Sequence, residues 1–330
     1  MVNLSLEWFE QVFQLTVQMG TIYLIASLGE VYAERSGVLN LGLEGMMIMG
    51  AAISFIFTIA YGHLVAILMA ALIGVLMSLI LAVMAIHLRL NQVIVGLALT
   101  LLGLGLSGLI TFPDIRRRIL SSLNPSLPES MLMIQQAEKL PEIPIPLLSQ
   151  IPLIGKTFFT HNILVYTSLI LAIIMWFILF KTRYGLIIRS VGENPSMADS
   201  LGVNVFLVRY VTVVISGLFA SLAGAYFFIG FHPFWREGVT AGRGFISLAL
   251  VILATWNPLR AILGAYLFGG VETFQYRLQL FGLGAQSPYF LAMLPYIITI
   301  ITLILISIES IRKRIGVPAS LGTPYSREEA

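Results

Sequence analysis

Nine apolar segments, most of them close to the length that crosses a lipid bilayer, dominate this chain of 330 residues. They run over 11–33, 43–60, 64–86, 91–112, 162–180, 206–231, 244–257, 260–281 and 288–310. A spanning helix needs about 20 mostly apolar residues, and a helix satisfies its own backbone where no water can. The composition agrees. Hydrophobic residues make up 58% of the chain and charged residues 11%, against about 25% charged in a soluble domain. So few charges cannot clothe a water-soluble core of this size, which leaves lipid as the solvent for most of the surface. The expected fold is all-α: a polytopic transmembrane helix bundle of about 8–10 spans, with residues 1–330 forming one transmembrane domain.

Two Gly-rich, irregular pieces, 36–42 and 232–243, sit beside short spans. Non-helical backbone at membrane depth survives only where protein or a water-lined cavity covers it, so both are candidates for lining a polar path. SGVLNLGLEGMMIMGA (36–51) and AGRGFISLALVILATWNP (241–258) echo each other weakly, each running from a break into a short apolar helix. Inverted repeats with broken helices at their interface behave this way.

Between two spans lies the polar, basic stretch KTRYGLIIRSVGENPSMADSLGVNV (181–205). Asn194 is a good N-cap, Pro195 suits the first helical turn and Gly202 the position past the end. About two turns of water-facing helix suit a docking element. Lys and Arg favour the cytoplasmic side. With 181–205 in the cytosol, the inner side holds Arg35, Arg89, Lys181, Arg183, Arg189, Arg209, Arg260, Arg312, Lys313, Arg314 and Arg327. The outer side holds Arg116, Arg117, Arg118, Lys139, Lys156, Arg236 and Arg243, and the outer loops near 61–63 and 282–287 hold none. The N-terminus is then outside and the C-terminus, with a tail over 311–330, is cytoplasmic. The cluster Arg116–Arg118 opposes this orientation and is outvoted. Residues 113–161 form an extracytoplasmic loop with a short helix expected around 129–139. That loop either docks a substrate-delivering partner or is a solvated connector. The first ten residues carry no Lys or Arg, so the first apolar segment is expected to be a permanent span rather than a cleaved leader.

Several function classes drop out. The net charge of +3 comes without a basic arm, so nucleic acid is not an expected partner. There is no cysteine, hence no disulfide, thiolate metal site or cysteine nucleophile. Gly155-Lys156-Thr157 resembles the end of a phosphate-binding loop, but Gln150 stands where that loop needs its first glycine. ATP and magnesium would have to be bound by another polypeptide. The four histidines, His63, His87, His161 and His232, sit at span or loop ends without paired spacing. No enzyme and no metal site is expected.

Ionisable residues inside spans are costly, about 2.5–3.5 kcal/mol each at mid-bilayer, and so face protein or water. Glu30, Glu44, Arg243, Glu272 and Arg277 fall in or at the ends of spans. They either line a polar path or brace the structure, with Arg243 pairing Glu272 or Glu44 to pin the broken helices. Asn40, Asn91 and Gln92 have amides suited to hydroxyl-rich or nucleobase ligands, and equally to capping. Gly217, Ala220, Ser221 and Gly224 share one helical face and are read as close packing.

Three stretches carry a resemblance: GEVYAERSGVLNLGLEGMMIMGA (29–51), LRLNQVIVGLALTLLGLGL (88–106), and RYGLIIRSVGENPSMADSLGVNV (183–205) with GRGFISLALVILATWNPLRAILGAYLFGG (242–270). In this order the chain resembles permeases of ABC importers in the ribose and branched-chain amino acid superfamily, closest to the nucleoside and simple-sugar branch. The resemblance implies that 183–205 is the cytoplasmic coupling region that fits a separate ATPase subunit, formed by Gly192, Glu193, Asn194, Pro195, Ala198 and Gly202. Met197 stands where the family often has a small residue. It further implies a second homologous permease, an extracytoplasmic substrate-binding lipoprotein and a multi-pass location in the cell membrane. The path residues expected are Asn40, Glu44, Asn91, Gln92, Arg243 and Glu272. A self-sufficient secondary transporter or channel is the alternative, and it leaves the helix at 194–202 without a task.

Overall fold

The computed structural model describes residues 6–151, 154–280, 291, 293–307 and 316–326. The outer loop near 282–287, the ends of the expected span 288–310, and Arg312, Lys313, Arg314 and Arg327 lie outside the described residues.

The chain is a helix bundle. In order come α1 (Leu6–Arg35), α2 (Leu43–Tyr61), α3 (His63–Ala82, ending in a π turn to His87) and α4 (Gln92–Thr111). Then follow α5 (Pro113–Leu123), α6 (Glu129–Leu132), strand β1 (Glu142–Pro144), α7 (Ile154–Phe159) and strand β2 (Thr160–Asn162). The remainder is α8 (Ile163–Lys181), α9 (Arg183–Glu193), α10 (Pro195–Ser200), α11 (Val205–Ala225, widening to a π turn through Phe231), α12 (Arg243–Leu253), α13 (Pro258–Leu280) and α14 (Leu294–Ser307).

Six of these among the described residues, α1, α2, α3, α4, α8 and α11, are long and apolar enough to cross a membrane. Helix α12 has 11 residues, too few to span at 1.5 Å per residue. Helix α13 has 23 residues and carries Arg260, Glu272 and Arg277.

Burial sorts the spans. The apolar windows of α1 and α2 are 72% and 83% buried, whereas those of α3, α4 and α8 are 33%, 33% and 28% buried. Helices α1 and α2 are therefore the axis of the bundle. Leu64, Leu68, Leu72, Ile94, Leu101, Ile170 and Phe177 remain exposed on the outer helices, as lipid-facing side chains should. Small residues set the closest approaches. A Cβ on Gly217 or Gly224 would strike Ser78 or the Met47 backbone, and Ala220 and Ser221 are fully buried, so this face of α11 is a packing face.

The connections gather on two opposite faces. On one, the start of α1 meets β1 and β2: Gln14 donates to Thr160 O (3.2 Å) and Gln18 to Glu142 (3.4 Å). Asn124 donates to Ala60 O (3.1 Å), His63 reaches Glu138 O (2.8 Å), and Arg277 of α13 reaches Gln11 (3.2 Å). On the other face, Arg35 at the end of α1 donates to Thr255 O (3.2 Å) and Trp256 O (3.3 Å), near α9 and the C-terminal segment.

The described residues of 113–161 form short helices and a two-stranded pairing, and the helix expected over 129–139 is cut to Glu129–Leu132. The backbone beyond it is occupied elsewhere: Trp235 N donates to Gln135 O (2.8 Å), Ala137 N to Pro233 O (2.9 Å) and Leu140 N to Ile229 O (2.8 Å). Tertiary pairing with the second break wins over local helix propensity.

Candidate translocation site and coupling surface

The two breaks are where expected, and they meet. Residues 36–42 and 232–242 are non-helical, and the helices that follow them, α2 and α12, begin side by side. A Cβ on Gly244 would lie 2.6 Å from Glu44 Cα. From that shared origin α2 runs to the face with α5, where Ala60 meets Asn124. Helix α12 runs to the opposite face, where Trp256 meets Glu34 (2.5 Å). The helix pair is thus inverted, with both positive helix ends pointing into the bundle.

Glu44 sits between these ends. One carboxylate oxygen accepts from Thr240 Oγ1 (2.6 Å) and Gly242 N (2.8 Å), the other from Gly244 N (2.7 Å). Gly242 has φ +80, a conformation glycine adopts at no steric cost. The carboxylate caps α12 from outside its own chain segment, as an anion at a helix N-terminus does.

Arg243 pairs with Glu272 of α13 and not with Glu44. Its guanidinium also donates to Val239 O (3.2 Å), Thr240 O (3.0 Å) and Tyr276 Oη (3.3 Å), and lies 4.6 Å from the centre of the Phe227 ring. Glu272 in turn accepts from Tyr23 (2.6 Å). Asn40 is fully buried and fully used: its N–H donates to Glu30 (3.1 Å), its amide to Ser216 (2.9 Å), and its oxygen accepts from Gly42 N (3.0 Å). Asn91 is the exposed N-cap of α4, accepting from Val93 N and Ile94 N. Gln92 is buried and accepts from Leu39 N (2.8 Å), so it props the first break.

Beside the second break lies a cavity of about 720 Å³, lined by Phe227, Phe231, Phe234, Tyr276, Arg236 and Arg277 among others. Arg243 and Thr273 also border it, and both are buried. Arg243 Nε and Thr273 Oγ1 have no hydrogen-bond partner among the described residues. Of the expected path residues, only Arg243 lines this cavity. Glu44 and Glu272 hold its wall, while Asn40, Asn91 and Gln92 belong to the first break and α4. The aromatic lining was missed in the sequence, although FFIGFHPFW (227–235) announces it.

At the α9 face, the stretch 182–205 forms two helices rather than one. Helix α9 escaped the sequence reading, although Thr182 caps it by accepting from Gly185 N. Helix α10 is capped by Asn194, whose side chain accepts from Met197 N (3.0 Å), opens on Pro195 and is followed by Gly202 at φ +83. Gly192 and Ala198 face inward: a Cβ on Gly192 would run into Arg35 O, and Ala198 is buried. Glu193, Asn194 and Gly202 are exposed, and Pro195 is half-buried. Met197 and Leu201 are 62% and 79% exposed, an apolar tip on this short helix.

Known proteins share this chain's sequence over most of its length. A family described as branched-chain amino acid transport system / permease component matches residues 12–306. The guanosine ABC transporter permease protein NupQ of Bacillus subtilis is 35% identical, covering 96% of this chain and 97% of its own. The nucleoside ABC transporter permease protein NupC of Lactococcus lactis is 37% identical, covering 86% and 88%. A Haloferax volcanii protein provisionally named a glucose ABC transporter permease, TsgC13, is 35% identical over 95% and 96%. No solved structure matches the chain significantly.

Proposed function

The chain belongs to the family of branched-chain amino acid transport system permease components, and we propose that it carries nucleosides into the cell as the membrane-spanning half of an ABC importer. It is a permease and not an enzyme. A separate ATPase binds ATP and magnesium, a second homologous permease completes the pore, and an extracytoplasmic lipoprotein delivers the solute.

The observation that carries the reading is the α10 tip. A short capped helix with Met197 and Leu201 exposed, held between two spans, supports docking into an apolar groove on an ATPase. Such a tip needs a partner to cover it. The Lys and Arg on that face, Arg35, Arg89, Lys181, Arg183, Arg189 and Arg260, support placing it in the cytosol. The start of α1 and the segment 113–161 are then outside. The cluster Arg116–Arg118 loses force as a counter-signal, because Arg116 is buried, lies 5.3 Å from the centre of the Phe55 ring and donates to Met133 O.

Substrate class follows from the relatives' names and from the cavity. Aromatic walls at Phe227, Phe231, Phe234 and Tyr276 suit a flat base, since every base has a stacking face. The exposed Arg236 guanidinium on the same wall suits its polar edge. A simple sugar is the second candidate, favoured by the Haloferax relative, and a branched-chain amino acid the third.

ATP binding closes the ATPase dimer, α10 moves with it, and the breaks at 36–42 and 232–242 open the path to one side at a time. ATP shifts the two states only through its different affinity for them. The test is uptake by the complete complex in vesicles, with guanosine, ribose, glucose and leucine as competitors. Competition by guanosine alone is expected. Competition by a sugar alone reverses the substrate order, and ATP-independent uptake removes the importer reading.

A further inference from the structure

Beneath α9, the C-terminal segment 316–326 turns back onto the bundle and touches both the coupling helices and the first break. Ser320 N donates to Gly192 O (2.9 Å), and Ser320 Oγ donates to the same carbonyl (2.8 Å). Two residues on, Gly322 N donates to Gly37 O (3.1 Å). The segment therefore bridges the end of α9 to the start of the 36–42 break.

Arg209 of α11 ties the segment to the first break. It is 1% exposed. Its Nε donates to Ser36 O (3.2 Å), its Nη2 to Ser320 Oγ (3.2 Å) and its Nη1 to Thr323 O (3.2 Å). The planar guanidinium aims several donors in a fixed fork, which the ammonium of lysine cannot reproduce. Alongside, Ala198 of α10 packs in one apolar cluster with Val191, Val205 and Tyr325, and Tyr325 meets the Phe206 ring at 5.7 Å between centres. Contacts thus run without a gap from α10 through Ala198 to Tyr325 and Val191, and from the end of α9 through Ser320 and Arg209 to Ser36 and Gly37.

We propose that Arg209 and the segment 317–326 form the relay that makes the first break follow the coupling helices. Arg209 is a positioning residue: it touches neither solute nor nucleotide. Its charge is shared among carbonyl and hydroxyl oxygens of segments that have to move together, and a buried guanidinium left without them is strongly unfavourable. The relay rests on the importer reading given above.

The experiment uses the full complex in vesicles, with ATPase co-purification, basal hydrolysis and solute transported per ATP measured in parallel. Four variants are compared: Arg209→Met, Arg209→Lys, deletion of 317–330, and Arg209→Met combined with the deletion. Expected is retained co-purification and basal hydrolysis, with solute transported per ATP falling about tenfold, within the usual range for coupling between distant sites. The double variant should lose no more than the deletion alone, since both remove one linkage. Arg209→Lys should fail to restore coupling. If Arg209→Met does not assemble, the deletion alone decides. Unchanged transport per ATP in the deletion overturns the relay, and so does loss of ATPase co-purification, which would make the segment part of the docking surface. Absence of ATP-driven uptake in the unmodified complex overturns the importer reading itself, and so stands apart from either result.

Discussion

Glu44 and Gly244, 200 positions apart, are joined by a 2.7 Å hydrogen bond from backbone N–H to carboxylate. With Gly242 N and Thr240 Oγ1 on the other oxygen, this carboxylate is what holds the origins of α2 and α12 together. Hydrogen bonds to charged groups contribute about 1.5–3 kcal/mol each. Glu44→Gln turns one acceptor into a donor facing N–H groups. It should lower stability by about 2 kcal/mol and abolish uptake, read by thermal unfolding in detergent and by vesicle transport. Gly244→Ala should do at least as much harm, because its methyl would lie 2.6 Å from Glu44 Cα. Unchanged melting and transport in the Glu44→Gln variant would disprove this role.

The pairing of Arg243 with Glu272 makes a second prediction. Removing one partner of a buried pair leaves a bare charge and costs about 3–5 kcal/mol. Arg243→Met and Glu272→Met should each melt well below the parent, and the double substitution should recover part of the loss. Strict additivity in that cycle would mean the two side chains do not interact.

At α10, Leu201→Asp should leave melting within about 0.5 kcal/mol of the parent, as exposed substitutions do, yet weaken ATPase co-purification. Asn194→Ala should cost about 1 kcal/mol through the lost cap and impair coupling in proportion. Glu193→Trp is a cleaner steric probe than Gly202→Trp, because Gly202 has φ +83 and any side chain there adds backbone strain. Full ATPase binding by Leu201→Asp would refute the docking tip.

His161 gives a pH signature on the α5 face. It is fully buried between Thr160 and Asn162, and Nε2 donates to Thr157 O at 2.7 Å. Burial lowers its pKa below the ordinary 6.5. The unfolded chain then binds more protons than the folded one as pH falls through 6.5, so stability drops there and is unaffected above it. Melting followed from pH 7.5 downward should show this loss, and His161→Phe should flatten it. Identical pH slopes for the two proteins would rule out His161 as the source.

Much of this architecture was readable in the residues because membrane physics leaves few options. The breaks, read at 36–42 and 232–243, announced themselves through glycine beside short apolar segments. The capping of α10 was written locally in Asn194, Pro195 and Gly202. What was not readable depended on partners far away in the chain. Residues 133–139 look helical in isolation but spend their backbone on 229–235. Arg116 looks like a topology signal and is a buried brace on Phe55. Nothing local distinguishes Glu272 from Glu44 as the partner of Arg243, and nothing in Ser320 reveals that it lies on Gly192. The expected path residues divide the same way. Asn40 carries the right chemistry for a ligand but is consumed in shaping the break, and Gln92 spends its side-chain oxygen there while its amide nitrogen has no partner among the described residues.

Helices α2 and α12 begin at one point and depart toward opposite faces, but only α12, with 11 residues, is too short to form a full-height barrier. It is a half-length door beside the full-length post of α2, and Glu44 is the bolt where the two meet. On the importer reading, a pull on the far end of α12, beside Trp256, would swing that leaf while α2 stays anchored to the 113–161 segment, and opposite sides would not stand open together.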